Sequence, residues 1–176
     1  MATHLAAPAV QTTPVHLLPL GDSITDGGIK QRSYRYHLHR MFEAAGQPVQ
    51  WVGSMHGLYD RKKGKNATDG VVLRHHSDWP LRAQQHEGHW GWTSQQILYG
   101  HERQRQRGSL GRWLSGYREE GATPDVALVH LGTNDLTKLV FKKKGEPVAA
   151  IARRLHSLTA RLCRANKFIR IVLASP

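Results

Sequence analysis

Residues 17–27 read Leu17-Leu18-Pro19-Leu20-Gly21-Asp22-Ser23-Ile24-Thr25-Asp26-Gly27. An apolar run over residues 15–20 breaks here into Gly, Asp, Ser and Thr. A short apolar run bounded by turn formers is the pattern of a strand buried in a parallel sheet. Ser23 then falls just past the carboxyl end of that strand, where open α/β sheets hold their ligands. Gly21 permits the sharp turn, and Asp22 or Ser23 can cap a helical turn that follows. Two readings of Ser23 stand side by side at this point: a nucleophile, or a helix cap.

Working outward, the chain alternates helix-like and strand-like segments. Residues 32–45 place Tyr34, Leu38, Met41, Phe42 and Ala45 at spacings of three and four, the stripe of an amphipathic helix. Gly46 suits a helix stop, and residues 49–52 form a second short strand. Residues 54–88 read as irregular and carry the basic run Arg61-Lys62-Lys63-Gly64-Lys65; a loop this long within a domain is functional or disordered. A helix over 93–106, capped by Thr93 or Ser94, turns Ile97 and Leu98 inward. Trp113, Leu114 and Tyr117 mark another helical turn.

Residues 126–131, Val-Ala-Leu-Val-His-Leu, form the clearest strand. It ends in Gly132-Thr133-Asn134-Asp135, a second strand-to-polar-turn junction. Pro147 opens a helix whose inward face is Val148, Ile151, Leu155, Leu158 and Leu162. Residues 169–174 make a last strand. Strands separated by helices predict an α/β fold, a parallel sheet inside a three-layer αβα sandwich. The domain spans 15–176, behind a flexible leader over 1–14.

A chain of 176 residues that is 39% hydrophobic suits one globular domain. Cys163 is the only cysteine, which excludes an internal disulfide, and its apolar helical surroundings read as those of a small core residue. The net charge of +12 attracts polyanions without specifying a fold. No segment is apolar for long enough to span a bilayer. The N-terminus lacks the basic start and apolar core of a signal peptide, which makes a cytoplasmic location the default expectation.

The two polar junctions lie on neighbouring strands and open on one edge of the sheet, which brings Ser23 and Asn134 to a common cleft. A hydroxyl nucleophile needs donors aimed at the oxyanion it creates. The Asn134 amide is one such donor, and a backbone N–H in a glycine turn is another. The segment His86-Glu87-Gly88-His89-Trp90-Gly91-Trp92-Thr93-Ser94 offers that turn just ahead of a helix.

GDSITDG, GHWGWTS and HLGTND, in that order, resemble the first three sequence blocks of the SGNH (GDSL-like) hydrolases. The wording HEGHWGWTS is similar to the carbohydrate-esterase branch, which deacetylates xylan and related sugars. This resemblance covers about residues 15–176. It implies a flavodoxin-like αβα sandwich that hydrolyses carboxylic esters through an acyl-enzyme. Ser23 matches the nucleophile and a backbone oxyanion donor; the Gly91 N–H and the Asn134 side chain match the rest of the oxyanion hole. The implied substrate is a small ester or acylated sugar, with no cofactor and no metal.

One block departs from the pattern. The family's Asp-x-x-His motif, which provides the general base and the acid that orients it, has no counterpart, since no Asp is followed three residues later by His. After Asp135 the only histidine is His156, next to core-facing Leu155 and read as a solvated helix residue. The last strand corresponds to the family's fourth. The expectation is a C-terminally truncated domain that lacks a final strand, a helix and the catalytic block, on the order of 40–60 residues. Such a chain is weakly active or inactive and exposes a sheet edge.

The remaining polar residues take plainer readings. His75, His76, His86 and His89 read as exposed loop histidines without metal-ligand spacing; the rival is that His86 or His89, in the loop carrying Gly91, replaces the missing base with Glu87 to orient it, which no spacing requires. Trp90 and Trp92 flank Gly91 and either stack on a sugar or cover the sheet edge. His130 reads as a packed strand residue, and Asp22, Asp26 and Asp135 as turn holders. The basic runs at 61–65, 103–107 and 142–144 read as solvated charge. The rival is a non-catalytic module that binds glycans or polyanions. No signature of specific nucleic-acid binding is present.

Overall fold

Strand β1 (Val15–Gly21) lies inside the sheet and is buried from Leu17 onward. The structure is a computed structural model that describes residues 13–30, 33–68, 76–141 and 145–174. Most of the leader, His75, Lys142-Lys143-Lys144 and Pro176 lie outside the described residues. Beside β1 run β2 (Val49–Trp51) and β6 (Val126–His130), and beyond β6 runs β7 (Arg170–Ala174), all parallel. Numbered in chain order, these long-range parallel strands are arranged 2-1-3-4, the beginning of the doubly wound flavodoxin-like order. A two-residue strand, β5 (Glu87–Gly88), takes the half of the β1 edge that β2 leaves open. In register, Gly21 faces both Gly88 of β5 and His130 of β6.

Pleat alternation splits the core in two. Leu18, Leu20, Ala127 and Val129 point to one face, where α3 (Ser94–Tyr99), α4 (Leu110–Glu119) and α6 (Val148–Ala165) bury Ile97, Leu98, Leu110, Leu158 and Leu162. Leu17, Val126 and Leu128 point to the other, against Trp51, Leu58, Trp79 and α2 (Tyr34–Ala44). Burying each large aliphatic side chain contributes roughly 1.5–3 kcal/mol, so both faces matter to stability. The result is the αβα sandwich expected from the sequence.

Several local expectations change. On α2 the buried positions are Arg35 and His39, whereas Met41 is 67% exposed and Ala45 is also exposed. The apolar stripe packs only in part because a polar pair at i and i+4 occupies the inward face. The helix expected over 93–106 ends at Tyr99, because Gly100 turns the chain out at φ 96°. Residues 54–88 are not wholly irregular: β3 (Leu58–Asp60) and β4 (Lys65–Ala67) form an antiparallel hairpin whose turn carries the basic run.

On α6, Ile151, Leu158 and Leu162 are buried but Val148 is 61% exposed. Cys163 is exposed, not a core residue, because it follows buried Leu162 by a 100° step around the helix. His156 is exposed, as read from the sequence. β7 has no described strand on its outer side, and Val172 and Leu173 are 54% and 62% exposed.

Candidate active site

β1 ends at Gly21 and the chain enters α1 (Ser23–Asp26), a single turn. Asp22 is its cap: Oδ1 accepts from the Ile24 N–H at 3.0 Å. The capping role therefore belongs to Asp22, which leaves Ser23 as the first helical residue. Ser23 is partly exposed, and among the described residues nothing bonds its hydroxyl or its N–H. Burial raises the Asp22 carboxyl above the usual range.

The buried side of α1 is held tightly. A Cβ on Gly88 would stand 2.3 Å from the Asp26 backbone nitrogen, so β5 approaches the turn as only glycine allows. Arg35, with no exposure, donates to the carbonyls of Thr25 (2.7 Å), Asp26 (2.8 Å), Gly57 (2.6 Å) and Gln84 (2.8 Å). One guanidinium thus ties the Ser23 turn to two other loops. Its planar fork suits four backbone acceptors in a way a lysine cannot.

The Gly91 turn follows β5, and the His89 N–H donates to the Gly21 carbonyl at 3.0 Å. Gly91 adopts φ 79°, and no atom lies within 4 Å of the place a Cβ would take. Glycine is required there by the backbone angle, not by crowding. No described acceptor takes the Gly91 N–H.

The third turn follows β6 and leads into α5 (Thr133–Val140). Asn134 Nδ2 donates to the Trp92 carbonyl at 2.8 Å. Asp135 accepts from both the N–H and the hydroxyl of Ser94. Ser23, Gly91 and Asn134 accordingly sit on turns at the same rim, at the carboxyl ends of β1, β5 and β6. Of the aspartates, Asp22 does hold its own turn, whereas Asp135 stitches two different turns together.

The other polar readings need correction. His86 and His89 are both fully buried, not exposed loop residues. His86 Nδ1 accepts from the Gly88 N–H at 2.9 Å, and its Nε2 lies 3.8 Å from Asp26 Oδ1. Burial, with Arg35 nearby, drives the His86 pKa well below its ordinary value. Asp26 is no turn holder; it lies fully buried and accepts from Asn66 Nδ2 at 2.8 Å. Burial pushes its pKa up to about 7 despite that hydrogen bond and the Arg35 charge.

His89 stacks against both Trp92 (4.3 Å) and Trp113 (4.8 Å), and its Nε2 meets Glu87 at 2.9 Å. Glu87 also accepts from Ser54 and from the Tyr117 hydroxyl. His76 is buried as well and accepts from the Ser33 N–H. His130 is half-buried in β6. Among the described residues no three His, Cys, Asp or Glu side chains converge as metal ligands.

Of the two tryptophans, Trp92 is only 2% exposed and covers the sheet. Trp90 is half-buried, stacked on Tyr59 at 4.7 Å, and lines a cavity of about 510 Å³. Arg35 and Asn66 escaped the sequence reading altogether, and Glu87 entered it only as a neighbour of the loop histidines. The signal for Arg35 was its i, i+4 spacing with His39 directly behind the Ser33 cap. For Glu87 it was the density of polar residues ahead of the Gly91 turn.

The fold and this rim define a doubly wound α/β protein with three loops gathered at its topological switch point, where such sheets bind ligands. Among solved structures, the chain is similar to a Clostridium thermocellum family 3 carbohydrate esterase, with a TM-score of 0.59 and 23% identity. The match covers 93% of this chain and 62% of that one, so the chain spans less than two thirds of the enzyme's length. No family model matches the chain. No curated protein matches it by sequence. Among the described residues no helix is long and apolar enough to cross a membrane.

Proposed function

We propose that the chain carries the nucleophile and oxyanion elements of an SGNH-type serine esterase acting on O-acylated carbohydrate. Ser23 attacks the ester carbonyl, and the alcohol leaves as an acyl-enzyme forms. The Ser23 and Gly91 N–H groups and the second N–H of the Asn134 amide hold the developing oxyanion. The observation that carries this reading is the Asn134–Trp92 hydrogen bond. It ties the turn after β6 to the Gly91 turn across the end of β1, where Ser23 stands with a free hydroxyl. The likeness to a carbohydrate esterase supports the substrate class.

Ser23 lacks an Asp-x-x-His partner in this sequence, and His86 and His89 are sealed from solvent. The 176-residue chain alone therefore turns over slowly. An oxyanion hole and binding without a complete triad leave about 10³–10⁴-fold over water. Exposure to an activated aryl acetate, followed by peptide mass spectrometry, tests the proposal. One acetyl group is expected on the peptide bearing Ser23, absent in Ser23→Ala. Acetylation spread over lysines and unchanged by that substitution overturns it.

A further inference from the structure

The cavity beside Trp90 is built from two of the three rim segments. One wall is Gly28, Ile29 and Lys30, the stretch that leaves α1, and the other is Trp90, next to Gly91. The β3–β4 hairpin closes it: the Tyr59 N–H donates to the Gly27 carbonyl at 2.8 Å, and the Ile29 N–H to the Tyr59 carbonyl at 3.2 Å. That pairing fixes Tyr59 against Trp90, ring planes 23° apart. Stacked at 4.7 Å, the two rings cover each other's inner faces, and an outer face of the pair offers the flat apolar surface on which a sugar ring stacks.

The rim of the same cavity carries charge of one sign. Lys30, Arg61 and Lys62 are exposed, and among the described residues no carboxylate pairs with any of them. Among the described residues the one acid in the lining, Asp60, is 5% exposed, and its Oδ1 accepts from the Lys62 N–H at 2.9 Å. The Arg61 guanidinium lies 5.9 Å from the Trp90 ring centre, within cation–π reach, so it is held beside the stacking surface and not left to wander. Unpaired cations around an aromatic floor fit a sugar that bears a negative group.

We propose that this cavity is a subsite for a carboxylated sugar, with the pyranose on an outer face of the Trp90–Tyr59 stack and its carboxylate between Arg61, Lys62 and Lys30. The proposal rests on the carbohydrate reading above and makes the substrate an acylated glycan that contains uronate residues. A cation rim strengthens attraction at low ionic strength and weakens with salt, as exposed pairs do.

Calorimetric titration with α-1,4-linked trigalacturonate and with the neutral galactotriose tests this. Trigalacturonate is expected to bind about tenfold more tightly at low salt, from a few partly exposed ion pairs. The double variant Arg61→Gln, Lys62→Gln should lose that preference, leaving the two sugars bound equally. Trp90→Ala should weaken both ligands. Equal affinities, no measurable binding of either sugar, or a preference that survives the double variant overturns the proposal. So does single-stranded DNA binding as tightly as trigalacturonate with no effect of Trp90→Ala. Failure of the Ser23 acetylation with the sugar preference intact removes the esterase reading alone; acetylation with no preference removes only the subsite.

Discussion

Asp135 receives two hydrogen bonds from Ser94, 2.8 Å from the backbone N–H and 2.7 Å from the hydroxyl, across 41 residues of sequence. Both residues are buried, so the pair fastens the start of α3 to the start of α5 out of reach of water. Because the neighbouring Asn134 and Trp92 are bonded to each other, the geometry of two rim turns depends on this clamp.

Asp135→Ala should destabilise the fold by about 2–3 kcal/mol, the usual cost of leaving buried donors without a charged acceptor. Asp135→Asn keeps one acceptor and should lose less. Urea denaturation of the two variants beside the parent measures the difference, and equal midpoints would deny the clamp its role.

Asp26 and His86 bias stability in opposite directions with pH. A carboxyl raised from 3.8 to about 7 binds its proton more tightly in the folded state. Its stabilisation is complete below about pH 4 and lost as pH rises through about 7. His86, lowered well below 6.5, stays neutral when folded, and its contribution is lost as pH falls below the unfolded value. Arg35 and Arg107 are the charges around Asp26, and Arg35, His89 and His56 surround His86. Asp26→Asn removes one half of this balance. Relative to the parent, the variant should lose of order a few kcal/mol between about pH 7 and pH 4 and be the more stable protein above about pH 8. Urea midpoints across that range give the readout.

Two glycines on the same loop should respond differently to alanine. At Gly88 the new methyl would overlap the Asp26 backbone, and Gly88→Ala should cost about 3 kcal/mol or prevent folding. At Gly91 the methyl meets nothing and only the left-handed backbone is strained, a cost of about 1–2 kcal/mol. Thermal unfolding followed by circular dichroism separates them.

Ser23→Ala removes a hydroxyl with no partner among the described residues. Its stability should stay within about 0.5 kcal/mol of the parent. A larger loss, measured by the same denaturation, would mean that Ser23 serves the fold rather than the rim.

How much of this was legible depends on how far each property reaches along the chain. Strands β1 and β6 and the turns that end them stand out because apolar runs and turn formers are local in sequence. Gly100 shows the limit: the periodic pattern continues past it toward 106, but a φ of 96° stops the helix at Tyr99. Histidines in a polar, glycine-containing segment look solvated, yet His89 ends packed against two tryptophans, one of them on α4. Nothing near His89 in the chain announces Trp113.

The sequence by itself determined the alternation of strand and helix, the polar turns behind β1 and β6, and the glycine turn at Gly91, because each follows from neighbouring residues. Tertiary structure alone decided that Arg35 turns inward onto four carbonyls, that Asp26 and His86 meet away from water, and that Cys163 faces solvent. The physical reason is that burial and hydrogen-bond partnership are settled by whichever distant segment covers a side chain. In this fold those segments are the β3–β4 hairpin, β5 and α4, brought against the end of β1 from separate parts of the chain.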